Sequence, residues 1–170
     1  VIKAIASNTA AVTALQSGQV DAINVLDMTA VDPLKAAGFG FAAQYMDQVG
    51  IFFIDKAGRM GSPWKNLKVR QAVNYAFDRD AALKVFASGY GNVTQQDFAS
   101  YNAGYVASLN NTYTHDLNKA KTLMADAGYA NGFTVTFPRF AGTPQTQVDF
   151  VTDQMAQINI TVKWDSFATT

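Results

Sequence analysis

Apolar positions along this chain follow two periods that trade places. Val1 to Ala6 alternates well enough for a strand, and Ser7 or Asn8 is placed to cap a short helix from Thr9 to Ser17. Gly18 follows as that helix's left-handed stop. Gln19 to Leu26 reads as a second strand, and Thr29 to Ala37 as a second short helix closed by Gly38. Phe39 to Tyr45 and Val49 to Asp55 are expected to be extended. The latter, VGIFFID, is a continuous apolar run of the kind that suits a buried strand. A loop with Gly58, Gly61 and Pro63 follows.

The stretch VRQAVNYAFDRDAALKVFASGYG, Val69 to Gly91, carries the sharpest helical pattern. Val69, Ala72, Val73, Ala76 and Phe77 recur at i, i+3, i+4, i+7 and i+8, and Ala81, Leu83, Val85 and Phe86 begin a new pattern. Asp78 sits where the second helix needs an N-cap, and Asp80 falls in its positive first turn. The triplet Asp78-Arg79-Asp80 therefore reads as punctuation between two helices rather than as a reactive carboxylate pair, and Gly89 stops the second helix.

Tyr90 to Tyr113 is polar, aromatic and Asn-rich without a period, a long loop of a length that usually marks function. Asp116 caps a helix running to about Ala127, with Leu117, Ala120, Leu123, Met124 and Ala127 inward and Gly128 as its stop. Phe133 to Phe137 is a strand, and Gln145 to Gln157 is a helix with Val148, Val151, Met155 and Ile158 on one face. Ile160 to Trp164 is the last strand. Strands alternating with helices predict an α/β architecture with a partly parallel sheet.

Composition narrows the chemistry. At 170 residues, 49% of them hydrophobic and 15% charged, the chain can build one substantial core or two small ones. Thirteen basic side chains balance thirteen acidic ones, so no electrostatic footprint points to nucleic acid or anionic lipid. The absence of cysteine excludes disulfides, thiolate zinc sites and cysteine nucleophiles. No apolar run approaches the roughly 18 residues that would span a bilayer. The chain opens VIKAIASNTAAV and stops at WDSFATT, and both ends are expected to lie inside a longer protein.

Few motifs carry reactive chemistry. GFGFAA, Gly38 to Ala43, matches G-x-G-x-x-G/A in letters, but a helix precedes it where dinucleotide binding needs a strand. His115 is the single histidine and sits just before the Asp116 cap, with too few carboxylates around it for a metal site. No G-x-S-x-G elbow is present, so an α/β hydrolase-like enzyme would have to be built on His115. No metal or cofactor is expected. Three Asn-x-Thr sequons, at Asn92, Asn110 and Asn159, are commonplace in an Asn-rich chain. Arg139 is the more telling residue. It follows the strand FTVTF in PRFAGTPQ, at the carboxyl end of a strand, where open α/β sheets bind ligands and a guanidinium can fork onto a carboxylate.

The order of pieces carries a resemblance. TALQSGQVDAI, FFID, SPWKNLKVRQAVNYAFDRDAALKVFASGYGN, NKAKTLMADAGYANGFTVTF and QMAQINITVKW together resemble the extracytoplasmic solute-binding proteins of ABC transporters, in the peptide/nickel-binding family. Arg70, Gln71, Ala72, Asn74, Tyr75, Ala76, Asp78 and Arg79 stand where that family has V-R-Q-A-x-N-Y-A-x-D-R. Lys119, Ala120, Ala127, Gly128 and Tyr129 match its K-A-x-x-L-L-x-x-A-G-Y. The chain departs from the family at Asn66, usually Asp, at Leu117, usually Pro, and at Asn159, usually Gly.

The resemblance implies a periplasmic-binding-protein-like lobe of type II, a mixed sheet flanked by helices, and incomplete. Residues 1–48 would end the first lobe and 49–170 would form most of the second, with a hinge crossing near 49–55. It further implies a substrate-binding component that holds a peptide or other small polar solute between two lobes and hands it to a membrane permease. Its setting would be extracytoplasmic, in a periplasm or lipid-anchored at a cell surface, and without catalysis. The cleft residues it points to are Arg139, Tyr101 and Asn102, while Arg70 would fix a turn or an acidic partner. The alternative from another class is an oligomerising or interaction module, in which unpaired strand edges recruit a second copy.

Overall fold

The computed structural model describes residues 2–25, 27–43 and 49–167. Two short helices build the first region. Helix α1, Asn8–Gln16, starts where Ser7 Oγ accepts from the Ala10 amide at 3.2 Å and ends before Gly18 at φ +70°. A 3₁₀ turn, Met28–Ala30, leads into α2, Val31–Ala36. Asp27 caps that turn, accepting from the Thr29 amide at 3.0 Å and the Thr29 hydroxyl at 2.6 Å. Both bonds, the hydroxyl's first, favour the charged carboxylate and hold the Asp27 carboxyl below its ordinary value. Ala14, Leu15, Val31 and Leu34 are the buried apolar side chains here.

Among the described residues, the strands expected in this region do not form. Residues 2–5, 20–25 and 39–43 carry no sheet pairing, while Val1, Leu26 and residues 44–48 lie outside the described residues. VGIFFID is not a buried strand either. Val49, Phe52 and Ile54 are 68%, 62% and 86% exposed, and Ile51 and Phe53 alone turn onto the core. Apolar alternation sets which face a segment buries, but a strand also needs a neighbour for its backbone groups, and none is supplied among the described residues.

From Asp55 on, the chain is organised around one core. Asp55 is buried and accepts from the amides of Arg59, Met60 and Ser62 at 2.8, 3.2 and 3.4 Å, winding the loop that carries Trp64 inward. Helices α3, Leu67–Ala76, and α4, Arg79–Ala87, follow as the periodicity predicts, then α5, Leu117–Asp126. Strand β1, Phe133–Phe140, helix α6, Gln145–Ala156, and strand β2, Ile160–Phe167, form a β-α-β unit. The strands pair in parallel from Phe133 opposite Ile160 to Phe140 opposite Phe167, each longer at its carboxyl end than the apolar pattern indicates.

The α/β expectation holds, and among the described residues the sheet is two-stranded and wholly parallel. One face packs on α3, α5 and α6 through Val69, Ala72, Val73, Ala76, Ala120, Met124, Val151, Met155, Ile158, Ile160 and Val162. Ala72, Ala76 and Ala120 are fully buried, and such small side chains let α3 and α5 approach closely. The other face, with Thr134, Thr136, Pro138 and Phe140 beside Thr161, Lys163 and Asp165, is exposed.

Candidate functional site

The carboxyl end of the parallel sheet is where the crossover geometry leaves room for a ligand. In β1 the inward row is Phe133, Val135 and Phe137, and the period of two places Arg139 next in that row, beyond the core. Its Nη2 donates to the Thr143 carbonyl at 3.3 Å across the turn that enters α6. Arg139 was expected in the loop after β1; it stands within the strand, opposite Ser166, because β2 continues to Phe167 and supplies the pairing. Pro138, which has no amide to donate, is accommodated in this edge strand. The turn closes with the Thr143 amide on the Phe140 carbonyl at 3.1 Å, and α6 begins at Pro144 without a side-chain cap.

The loop between α4 and α5 is irregular, as its lack of period predicts, yet ordered by side-chain amides. Gln95 donates to the Tyr113 carbonyl at 2.9 Å and accepts from the Tyr113 amide at 2.8 Å. Gln96 pairs with both backbone groups of Val106 in the same way, each bond 2.9 Å. Asn110 Oδ1 accepts from the Thr94 hydroxyl and the Gln95 amide at 3.1 and 3.2 Å. Each amide side chain thus replaces a strand neighbour for one residue across the loop. No sequence signal singled out these residues, since their partners are distant backbone atoms.

Asn102 spends its Oδ1 on the Ala99 amide at 3.0 Å, and its neighbour Tyr101 is 69% exposed. The described bonds hold Asn102 within the 99–105 turn and Arg139 within the 139–143 turn, two separate local structures.

The residues of the long signature are scaffold. Arg70 donates to the carbonyls of Trp64 and Lys65 at 2.6 and 3.0 Å, fixing a turn, with no acidic partner among the described residues. Arg79 donates to Asn74 Oδ1 at 2.7 Å and to the Asn74 carbonyl at 3.0 Å. Longer bonds reach the carbonyls of Phe77 and Tyr113, so one guanidinium ties the ends of α3 and of the long loop. Burial pushes this guanidinium below its ordinary value. Asp78 caps α4 through the Ala81 amide at 2.9 Å, and its own amide donates to the buried Gln154 of α6 at 2.8 Å. The departures fit locally as well. Asn66 caps α3, and Asn159 takes the left-handed conformation at φ 62° that Asn tolerates, its side chain donating to the Ala130 carbonyl at 2.9 Å.

Other candidates offer less. His115 is exposed. Among the described residues, no group of three or more His, Cys, Asp or Glu could hold a metal ion. A shallow groove of about 240 Å³ lies at the opposite, amino end of the sheet, lined by Lys121, Met124, Ala125, Ala130, Ile158 and Asn159. No helix among the described residues is long and apolar enough to cross a membrane.

Comparison with known proteins adds a whole-chain observation. The family model described as bacterial extracellular solute-binding proteins, family 5 Middle, matches residues 1–169. The glutathione-binding protein GsiB of Pectobacterium atrosepticum is 36% identical over 106 residues, 59% of this chain and 20% of that protein. The periplasmic binding protein DppA of Helicobacter pylori, solved with the peptide STSA, superposes with a TM-score of 0.58 at 32% identity. That match covers 61% of this chain and 20% of that one. An ABC transporter substrate-binding protein of Sinorhizobium meliloti covers 98% of this chain and 37% of its own, with a TM-score of 0.66; at 20% identity it shows the fold alone. The chain spans about a fifth of the length of the curated relatives it matches.

Proposed function

The chain belongs to the bacterial extracellular solute-binding proteins of family 5, and from that premise we propose that it forms part of the substrate-binding component of an ABC importer. In this reading residues 1–48 end a first lobe, 49–170 form most of a second, and the crossing near 49–55 is a hinge. The solute binds between the lobes, contacts to both favour the closed form, and the closed form docks the permease outside the cytoplasm. The protein does no chemistry on its cargo.

The observation that carries the reading is the match to the family over nearly the whole chain. A short peptide is the favoured solute. One relative is named for glutathione, itself a tripeptide, and another was solved with a tetrapeptide. Arg139 suits the role of carboxylate clamp: a guanidinium has five N–H donors and one of them is committed to Thr143. Tyr101 and Asn102, at the tip of the long loop, would add an aromatic face and an amide.

A thermal-shift screen against glutathione, dipeptides, tetrapeptides, sugars and nickel tests this, on this chain and on a longer protein that contains it. Ligand at a hundred times its dissociation constant stabilises a competent site by about 2.7 kcal/mol. A peptide shift that Arg139→Ala abolishes, and that amidation of the peptide carboxylate weakens, is the expected result. A shift from sugars or nickel alone would overturn the peptide reading. Silence from every solute in the longer protein would overturn the transport reading.

A second reading, self-association of this chain, is favoured by the exposure of Val49, Phe52, Ile54, Met60 and Leu67. Light scattering coupled to size exclusion decides it, through a mass that does or does not rise with concentration.

A further inference from the structure

The two regions described above have separate interiors. Ala14, Leu15, Val31 and Leu34 stand outside the cluster built on α3, α5, α6 and the sheet. A hydrogen bond, a ring contact and a cation contact link the first region to the second at one side chain, Tyr90. Its hydroxyl donates to the Asp32 carboxylate. Its ring meets Phe41 edge to face with centroids 5.2 Å apart, and Lys35 Nζ lies 5.5 Å from its centroid. Asp32 and Lys35 are three residues apart in α2, so they present both contacts from one side of that helix.

Tyr90 is held for this role by the end of α4. Ser88 takes the left-handed conformation at φ 49° and Gly89 follows at φ 84°. The Gly89 amide donates to the Leu83 carbonyl at 3.2 Å, the Ser88 amide to that of Lys84 at 3.0 Å, and the Tyr90 amide to that of Ala87 at 2.7 Å. The side chain therefore leaves a tightly wound cap rather than a slack loop. On the other side, α2 is anchored by buried Val31 and Leu34 and by the Asp27-capped turn before it.

We infer that Tyr90 is a clasp, a side chain that holds the 27–43 segment against the end of α4. Its hydroxyl is held by a carboxylate while its ring meets both Phe41 and the Lys35 ammonium. Its part in opening and closing a solute cleft rests on the two-lobe reading above; the clasp itself does not.

The absence of cysteine makes the test direct. Gln16→Cys and Ala125→Cys, both at exposed positions, take paired spin labels on the first region and on α5. Electron–electron distance measurement on the 170-residue chain without solute is expected to give a narrow distribution. Tyr90→Ala should broaden it most, while Tyr90→Phe, which removes the bond, and Asp32→Asn, which weakens it, keep the ring contacts and should broaden it in part. Amide exchange over 28–43 should rise several-fold with Tyr90→Ala while α3 and α5 keep their protection. A distribution already broad in the unsubstituted chain, or one that stays narrow in Tyr90→Ala, would overturn the clasp. If Tyr90→Ala fails to fold, Tyr90→Phe and Asp32→Asn decide it, through broadening or its absence. No solute enters these measurements, so their failure is distinct from failure of the transport reading.

Discussion

The first region, residues 2–43, and the second, from Asp55 onward, obey the same helix rules and end with different degrees of structure. In both, a capping side chain starts most helices: Ser7 for α1, Asp27 for the turn before α2, Asn66, Asp78 and Asp116 for α3, α4 and α5, with α6 the exception. The second region adds what the described residues of the first do not form, a β-α-β unit whose buried face packs on α3, α5 and α6. In the first region extended segments of similar pattern find no partner among the described residues and carry no sheet pairing. Capping and local pattern suffice for short helices, whereas strands and a deep core depend on neighbours from elsewhere in the fold.

The strongest way to break that contrast is to cut equal weight from both interiors. Met155 is fully buried in the main core, and Met155→Ala should cost about 3 kcal/mol and lower the global unfolding midpoint in urea. Leu34→Ala, at a side chain only 6% exposed, should instead speed amide exchange in the first region and leave the main transition nearly in place. A global loss of equal size from Leu34→Ala would show the two interiors to be one cooperative unit.

Gly132→Ala sharpens the comparison from the backbone side, at about 2–3 kcal/mol. Gly132 takes φ +71° just before β1, and a Cβ there would fall 1.6 Å from the Asn159 carbonyl oxygen just before β2. The substitution should therefore damage the mouth of the sheet, read as lost protection in β1 and β2 together. Gly18→Ala, at a similar φ with open space around it, should cost about 1 kcal/mol and stay local to α1.

The caps come next. Asp78→Ala should cost about 1 kcal/mol in chemical denaturation, and Ser7→Ala less, because α1 has little tertiary structure to carry its loss.

The smallest expected effect is one of pH. The bond to Asp32 raises the Tyr90 phenol above its ordinary value. Its contribution is whole below about pH 10, the ordinary phenol range, and is lost as pH rises through the higher folded value. Exchange over 28–43 should accelerate in that alkaline window in the unsubstituted chain, and Tyr90→Phe should remove the added step.

Much of the candidate site was legible in part. Arg139 was expected at the carboxyl end of a strand and stands there, although inside β1 rather than after it. The sequence marks where the apolar pattern ends, and pairing with β2 carries the strand onward. Asp78-Arg79-Asp80 was legible as punctuation because cap chemistry is local. The clasp at Tyr90 was not, since GYG reads as a helix stop and Asp32 lies far away in the chain. Nor were the amide bridges of Gln95, Gln96 and Asn110, whose partners are backbone groups of remote residues.

By itself the sequence determined the helices, their caps and stops, the α/β class of the second region and the family whose signatures it carries. All of these are written within a few turns of chain, in spacing, capping side chains and glycines that accept a positive φ. Only the tertiary structure decided which apolar runs became strands, what the signature arginines hold, and how the first region is tied to the second. Those outcomes depend on which backbone groups and side chains meet across the fold, and local sequence does not specify a distant partner.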